Sequence, residues 1–203
     1  MSTVLLAVAL ATTLESSPTT GRLPDRRNGI NVQAWRVYTQ ELLEKIFPED
    51  YDRISTVQIT FVEDDEINAY ASFELNVFLI HFGLLRFVRD EAEYAFIMTH
   101  EGQHILNRHG PTTRATGWFS VREDFALLRR QEITADILAM DTMRYTGIDA
   151  CGGARLIAHL VRHFRTHDEP KDPYNIIGLR RKRIADYYCR QSKTTKYSVT
   201  REP

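Results

Sequence analysis

The sequence has only two cysteines in 203 residues, Cys151 and Cys189, too few for a disulfide framework and without metal-ligand spacing. They read as two buried or idle thiols, or, in an oxidising compartment, as one bridge tying the last two helices together. No stretch stays apolar for the roughly 20 residues that a membrane-spanning helix needs, so no integral span is expected. Nor does either charge dominate: 26 Lys and Arg against 27 Asp and Glu leave a formal net charge of −1. That balance removes any whole-chain attraction to nucleic acid or to an anionic membrane, and a partner has to be argued from a site. Internal repeats and low-complexity tracts are missing too. What remains is an ordinary globular composition, 43% hydrophobic and 26% charged, at a length that suits one domain with a real core.

The ends differ from the middle. Thr3 to Leu14 is an apolar run carrying Ala9-Leu10-Ala11, a small-residue cleavage pattern. It resembles the h-region of a secretory signal, although no Lys or Arg precedes it; a short buried helix or an unstructured tail is the other reading. Glu15 to Asn28, rich in Ser, Thr, Pro and Arg, reads as a linker. The division expected is therefore a signal-like segment and linker over residues 1–28, a folded domain over 29–190, and a polar basic tail over 191–203.

Within the domain, Val32, Trp35, Tyr38, Leu42, Leu43 and Ile46 recur at helical spacing, and Pro48 stops the helix near Phe47. Ile54 to Val62, Asn68 to Ser72 and Asn76 to His81 read as strands, and together as a small antiparallel sheet. Beyond Gly83 the pattern is helical. Asp90 with Glu93 three residues on is a capping box that opens a helix through His109, closed by Gly110-Pro111. Ser120 with Glu123 repeats the signature and opens a long helix to about Tyr145, ended by Gly147. Two more helices are expected near 150–165 and 176–189, with Pro170 and Pro173 between them. Helices packed on a small sheet make the class α+β, mostly helical.

The chemistry centres on His100-Glu101-Gly102-Gln103-His104, an H-E-x-x-H motif. Residues four apart stand one turn above each other on one helical face, so both imidazoles can reach a single ion from one rigid element. Imidazole nitrogen at about 2.0–2.1 Å suits zinc, and two such ligands leave the site half made. Glu101, rotated by about 100° from His100, is poorly placed as a ligand but well placed to take a proton from a metal-bound water. A solvated face carrying two His and a Glu by chance is the bland alternative. Against it stands Tyr94-Ala95-Phe96-Ile97-Met98 just before the motif, which predicts a buried helix, and buried histidines need partners.

A catalytic zinc site takes a third protein ligand and keeps one position open. Glu132-Ile133-Thr134-Ala135-Asp136 on the second long helix supplies candidates, flanked by Ile133, Ile137 and Met140, which should pack inward. Glu132 fits as third metal ligand. Asp136, one turn on, is placed to accept the free ring N–H of a ligand histidine and fix its tautomer. Without the first motif this pair would read as a solvated face beside Arg129 and Arg130.

Taken in order, Asn68-Ala69-Tyr70-Ala71, Gly83-Leu84-Leu85, Asp90-Glu91, the H-E-x-x-H segment and Glu132-Ile133-Thr134-Ala135-Asp136 resemble the zinc endopeptidase family that includes the heat-shock protease HtpX and the CAAX prenyl protease. The likeness covers about Ile54 to Tyr188 and is closer to small soluble or exported bacterial members. It implies one zinc ion held by His100, His104 and Glu132, with Glu101 as general base. It also implies that Asn68 to Ala71 border a cleft in which an extended polypeptide substrate pairs by its backbone. Toward the C-terminus the family's His-Pro and Arg-Ile pattern is displaced. The residue steadying the oxyanion is left among His167, Tyr174 and an Arg at 180, 181 or 183, with surface polarity the bland reading of each, and Arg183 has a pairing with Asp136 as its other role. The function expected is peptide-bond hydrolysis, with misfolded proteins as fitting substrates and a periplasmic or secreted location, cytoplasmic being the alternative. The competing functions are a non-catalytic zinc-stabilised binding module and a cytosolic, regulator-tied H-E-x-x-H peptidase. The tail Lys193 to Arg201 is basic, but too narrow a face for a nucleic-acid role.

Overall fold

The computed structural model describes residues 22–27, 29–109, 121–165 and 182–191. The signal-like stretch at 3–14 lies outside them. Residues 22–27, part of the stretch read as linker, take no regular structure, but Arg26 donates to the carbonyls of Leu85 and Val88 at 2.7 and 2.6 Å and so fastens this segment to the domain.

Helix α1 (Val32–Ile46) begins where the Asn31 side chain accepts the Ala34 N–H at 3.1 Å, and it ends at Phe47, as Pro48 requires. It buries Trp35, Tyr38, Leu42, Leu43 and Ile46, the spacing that marked it in the sequence. A single turn, α2 (Tyr51–Ile54), follows. It takes up Ile54, so the first strand starts later than its β-branched run suggests.

The strands are β1 (Gln58–Val62), β2 (Ala69–Ser72) and β3 (Val77–His81). β2 and β3 form the expected antiparallel hairpin, from Ala69 opposite Ile80 to Ser72 opposite Val77. β1, however, runs parallel to β3, with Gln58 beside Val77 and Val62 beside His81, giving the order β1-β3-β2 and a mixed sheet rather than an antiparallel one. The reason is geometric. A four-residue turn commits β2 to one edge of β3, Asn76 taking a φ of 51° there, and β1 joins the opposite edge; the short connection from Val62 to Ala69 leaves and enters at the same end of the sheet, so β1 runs against β2 and therefore along β3.

Helix α3 (Phe82–Phe87) leads to α4 (Glu91–Leu106), the centre of the fold. The Asp90 cap forms as read, accepting the Glu93 N–H at 2.9 Å, while the Glu93 carboxylate turns back past the cap itself to the Arg89 N–H at 2.9 Å. From Glu93 to Ile105 α4 is buried nearly all round, packed by α1, α2, β2, α5 and α6. The helix ends at Leu106, one turn short of His109, because Arg108 takes the left-handed conformation, at a φ of 51°.

Helix α5 (Val121–Tyr145) lies along α4, and α6 (Cys151–Arg165) crosses its other side. The α6 seam is tight. A Cβ on Gly152 would lie 2.2 Å from the Ala92 carbonyl oxygen, and one on Gly153 would lie 2.5 Å from the Phe96 ring. Residues 182–191 are helical and bury Ala185. Cys151 and Cys189 are joined as a disulfide, so the bridge, and not the pair of idle thiols, is the arrangement found. The observed class is α+β, as expected. No helix among the described residues is long and apolar enough to cross a membrane.

Candidate metal centre

The H-E-x-x-H segment occupies the last two turns of α4, where helical spacing stacks His100 below His104. Both are buried, and their Nε2 atoms converge to 3.1 Å. Gly102, between them, lies flat against the Phe47 ring: a Cβ there would stand 2.5 Å from two ring carbons. The glycine thus lets α4 sit close to the end of α1 while the histidines face the other way, toward α5.

Among the described side chains of α5 the buried stripe consists of Ala135, Asp136, Ala139, Met140 and Met143, with Ile133 and Ile137 only half-buried. Two alanines in that stripe allow α4 and α5 to approach closely. Glu132 and Asp136 then reach the histidines from one turn apart. Glu132 Oε2 is 3.4 Å from His100 Nε2, and its Oε1 is 3.6 Å from His104 Nε2. Asp136, fully buried, places Oδ1 3.0 Å from the other ring nitrogen of His100, Nδ1. Arg183 is exposed on the 182–191 helix and does not share that burial.

These separations suit a metal. Donors about 2.0–2.1 Å from a tetrahedral ion stand about 3.3–3.5 Å from one another. The three donor pairs of His100, His104 and Glu132 measure 3.1, 3.4 and 3.6 Å. Two imidazoles and one carboxylate are also a donor set that zinc accepts, with the fourth position left over. The Glu132 side chain keeps 27% of its surface exposed, so the centre is open to solvent on that side.

Without a metal the same groups hold a proton. Burial alone would push the His100 imidazolium down, but the Asp136 and Glu132 carboxylates outweigh it and hold its pKa up to about 10. Glu101 is half-buried on the next position of α4.

One neighbour of the site was not read from the sequence. His109 places Nδ1 3.1 Å from His104 Nδ1, and burial depresses its pKa. Its only sequence signal is a histidine five residues past the motif, at the expected end of the helix. Of the oxyanion candidates, His167, Tyr174, Arg180 and Arg181 lie outside the described residues. A second His and carboxylate group, Asp64, Glu66 and His81, fastens a loop: Asp64 accepts the Glu66 N–H at 3.0 Å and stands 2.9 Å from His81 Nδ1.

β2, the stretch expected to border the cleft, is an outer strand packed on α4. The His81 N–H donates to the Asn68 carbonyl at 3.1 Å. Antiparallel alternation then turns the backbone groups of Tyr70 and Ser72 toward β3, and those of Ala69 and Ala71 outward along the free edge.

Residues 38–119 match Peptidase family M48, the family of HtpX and the CAAX prenyl protease, which is the resemblance the motifs carry. The match takes in α1 from Tyr38, the sheet and the whole of α4, and ends before α5. It supports a peptidase of the metallopeptidase kind.

Proposed function

We propose that this chain is a zinc-dependent endopeptidase acting on polypeptides bound in extended form, with His100, His104 and Glu132 as metal ligands and Glu101 as general base. The observation that carries the proposal is the convergence of three donor atoms, from two different helices, at tetrahedral-edge separations of 3.1, 3.4 and 3.6 Å. The family match supports the reaction class.

When bound, zinc supplies Lewis acidity and brings the ionisation of a coordinated water to about pH 7. The chain's residues do the rest. Glu101 takes the proton of the attacking water at its carboxylate and passes it to the leaving amine. Asp136 accepts the Nδ1–H of His100, which leaves the Nε2 lone pair directed at the metal. The outward N–H and C=O groups of Ala69 and Ala71 pair with substrate backbone, as an added strand does on any free sheet edge. Such pairing reads main chain more than side chains, so unfolded or misassembled proteins are fitting substrates. The Cys151–Cys189 disulfide favours an oxidising compartment, periplasmic or secreted, over the cytoplasm.

The test is zinc content and casein cleavage measured on the wild type and on Glu101→Gln. Zinc retained with cleavage lost only in Glu101→Gln supports the peptidase. Zinc retained with neither protein active supports a binding module instead, and absence of zinc from the wild type removes both readings.

A further inference from the structure

Helix α4 ends in a double closure. The Arg108 N–H donates to the Ile105 carbonyl at 3.2 Å, and the His109 N–H donates to the His104 carbonyl at 3.0 Å, with Arg108 in the left-handed region between them. This pattern brings the second residue past the helix cap back over the third residue from its end, a contact that is commonly hydrophobic. Here the two residues are His109 and His104, and the contact is ring to ring: centroids 4.9 Å apart, planes at 76°, and the two Nδ1 atoms 3.1 Å apart. Arg108, half of the same turn, lies over the Phe73 ring at 5.1 Å and ties the closure to the β2–β3 hairpin.

We infer that His109 is a positioning residue for the metal centre, accepting the Nδ1–H of His104 and so fixing the tautomer and ring plane in which His104 binds zinc. A histidine that gives its Nε2 lone pair to a metal carries its proton on Nδ1, and that proton needs an acceptor. For His100 the Asp136 carboxylate, 3.0 Å from Nδ1, stands where it can take up that proton. For His104 the atom at the corresponding distance is the Nδ1 of His109, whose own proton then sits on Nε2. The two ligand histidines are therefore held unequally, one by a buried anion on α5 and the other by a neutral ring delivered by the end of their own helix. The inference rests on the zinc reading above.

The test uses the full chain and compares His109→Asn, whose amide oxygen takes up nearly the Nδ1 position, with His109→Leu, of similar size and without an acceptor. The first readout is zinc affinity by chelator competition, and the second is the visible absorption spectrum of the cobalt-substituted protein. Loss of an outer partner to a ligand histidine costs about 10–100-fold in affinity, which is the loss expected for His109→Leu together with a changed cobalt spectrum. His109→Asn recovers most of that affinity and the wild-type spectrum. His109→Phe, which keeps a ring but no acceptor, replaces His109→Leu if the latter does not fold. Wild-type affinity in His109→Leu overturns the inference, and so does an equal loss in His109→Asn and His109→Leu when both are folded. If the wild type binds no zinc, or Glu101→Gln keeps full activity, it is the peptidase reading that fails, a result the His109 pair does not produce.

Discussion

Gly152→Ala is the sharpest test of the α4–α6 seam. The added Cβ would lie 2.2 Å from the Ala92 carbonyl oxygen and 2.3 Å from its carbon. Both atoms are backbone in the first turn of α4, pinned by the Asp90 cap, so no side chain can swing away. Relief requires α6 to move off α4 by about 1 Å in a close-packed interior. Overpacking of this kind costs about 1–3 kcal/mol, and the better helix propensity of alanine returns less than about 1 kcal/mol so near a helix start. The expected net loss is about 1–2 kcal/mol, or about 2–8 °C in Tm for a domain of this size. Urea unfolding followed by circular dichroism reads the first figure and a thermal scan the second. Ala92→Gly in the same chain should not restore stability, since the closest atoms are carbonyl atoms that the second change leaves in place. A Gly152→Ala protein with an unchanged or higher urea midpoint would refute the packing described for this seam.

Asp136→Ala should weaken zinc binding about 10–100-fold, and Asp136→Asn less, because its amide oxygen still accepts the His100 Nδ1–H; chelator competition checks the order, and equal affinities would refute it. Zinc uptake by metal-free protein at pH 8 should release about one proton, because His100, held up to about 10, is still protonated there and must lose that proton to bind metal. The sign follows: affinity climbs with pH until the region of 10. Calorimetry in two buffers of different ionisation enthalpy measures the release, and no buffer dependence refutes it. Replacing Cys151 and Cys189 by Ser opens a loop with a sequence separation of 38, which chain entropy values at about 4 kcal/mol, so Tm should fall by about 8 °C or more; an unchanged Tm counts against a structural role for the bridge.

Local signals were the legible part of this fold. Asp90 and Glu93 announced the start of α4 because capping chemistry lies within four residues, and the i, i+4 spacing of His100 with His104, and of Glu132 with Asp136, carried the donor set. The meeting of α4 and α5 was not a matter of spacing, but an acidic pair beside apolar neighbours demanded a partner, and the motif offered one. Non-local choices were harder to read. The parallel pairing of β1 depends on the end of the sheet at which the connection to β2 crosses, and a run of β-branched residues says nothing about direction. The end of α4 was misplaced because Gly110 is the residue that prefers a left-handed turn, yet Arg108 adopts it, supported by the Phe73 ring. That same misplacement hid His109. The disulfide likewise requires two Cα atoms 4.6 Å apart, a distance that two thiols 38 residues apart in sequence do not reveal.

The bridge has one more consequence for a protein proposed to cut polypeptides. Each molecule is surrounded by copies of itself, and any segment between Cys151 and Cys189 is within a span that one hydrolytic event would divide. With the sulfurs joined, such a nick would not shed the 182–191 helix: the segment that carries Ala185 would stay tethered, and the clipped chain would still migrate as one unit until a thiol reductant was added. The fold thereby gains tolerance to its own chemistry over the span that the bridge closes.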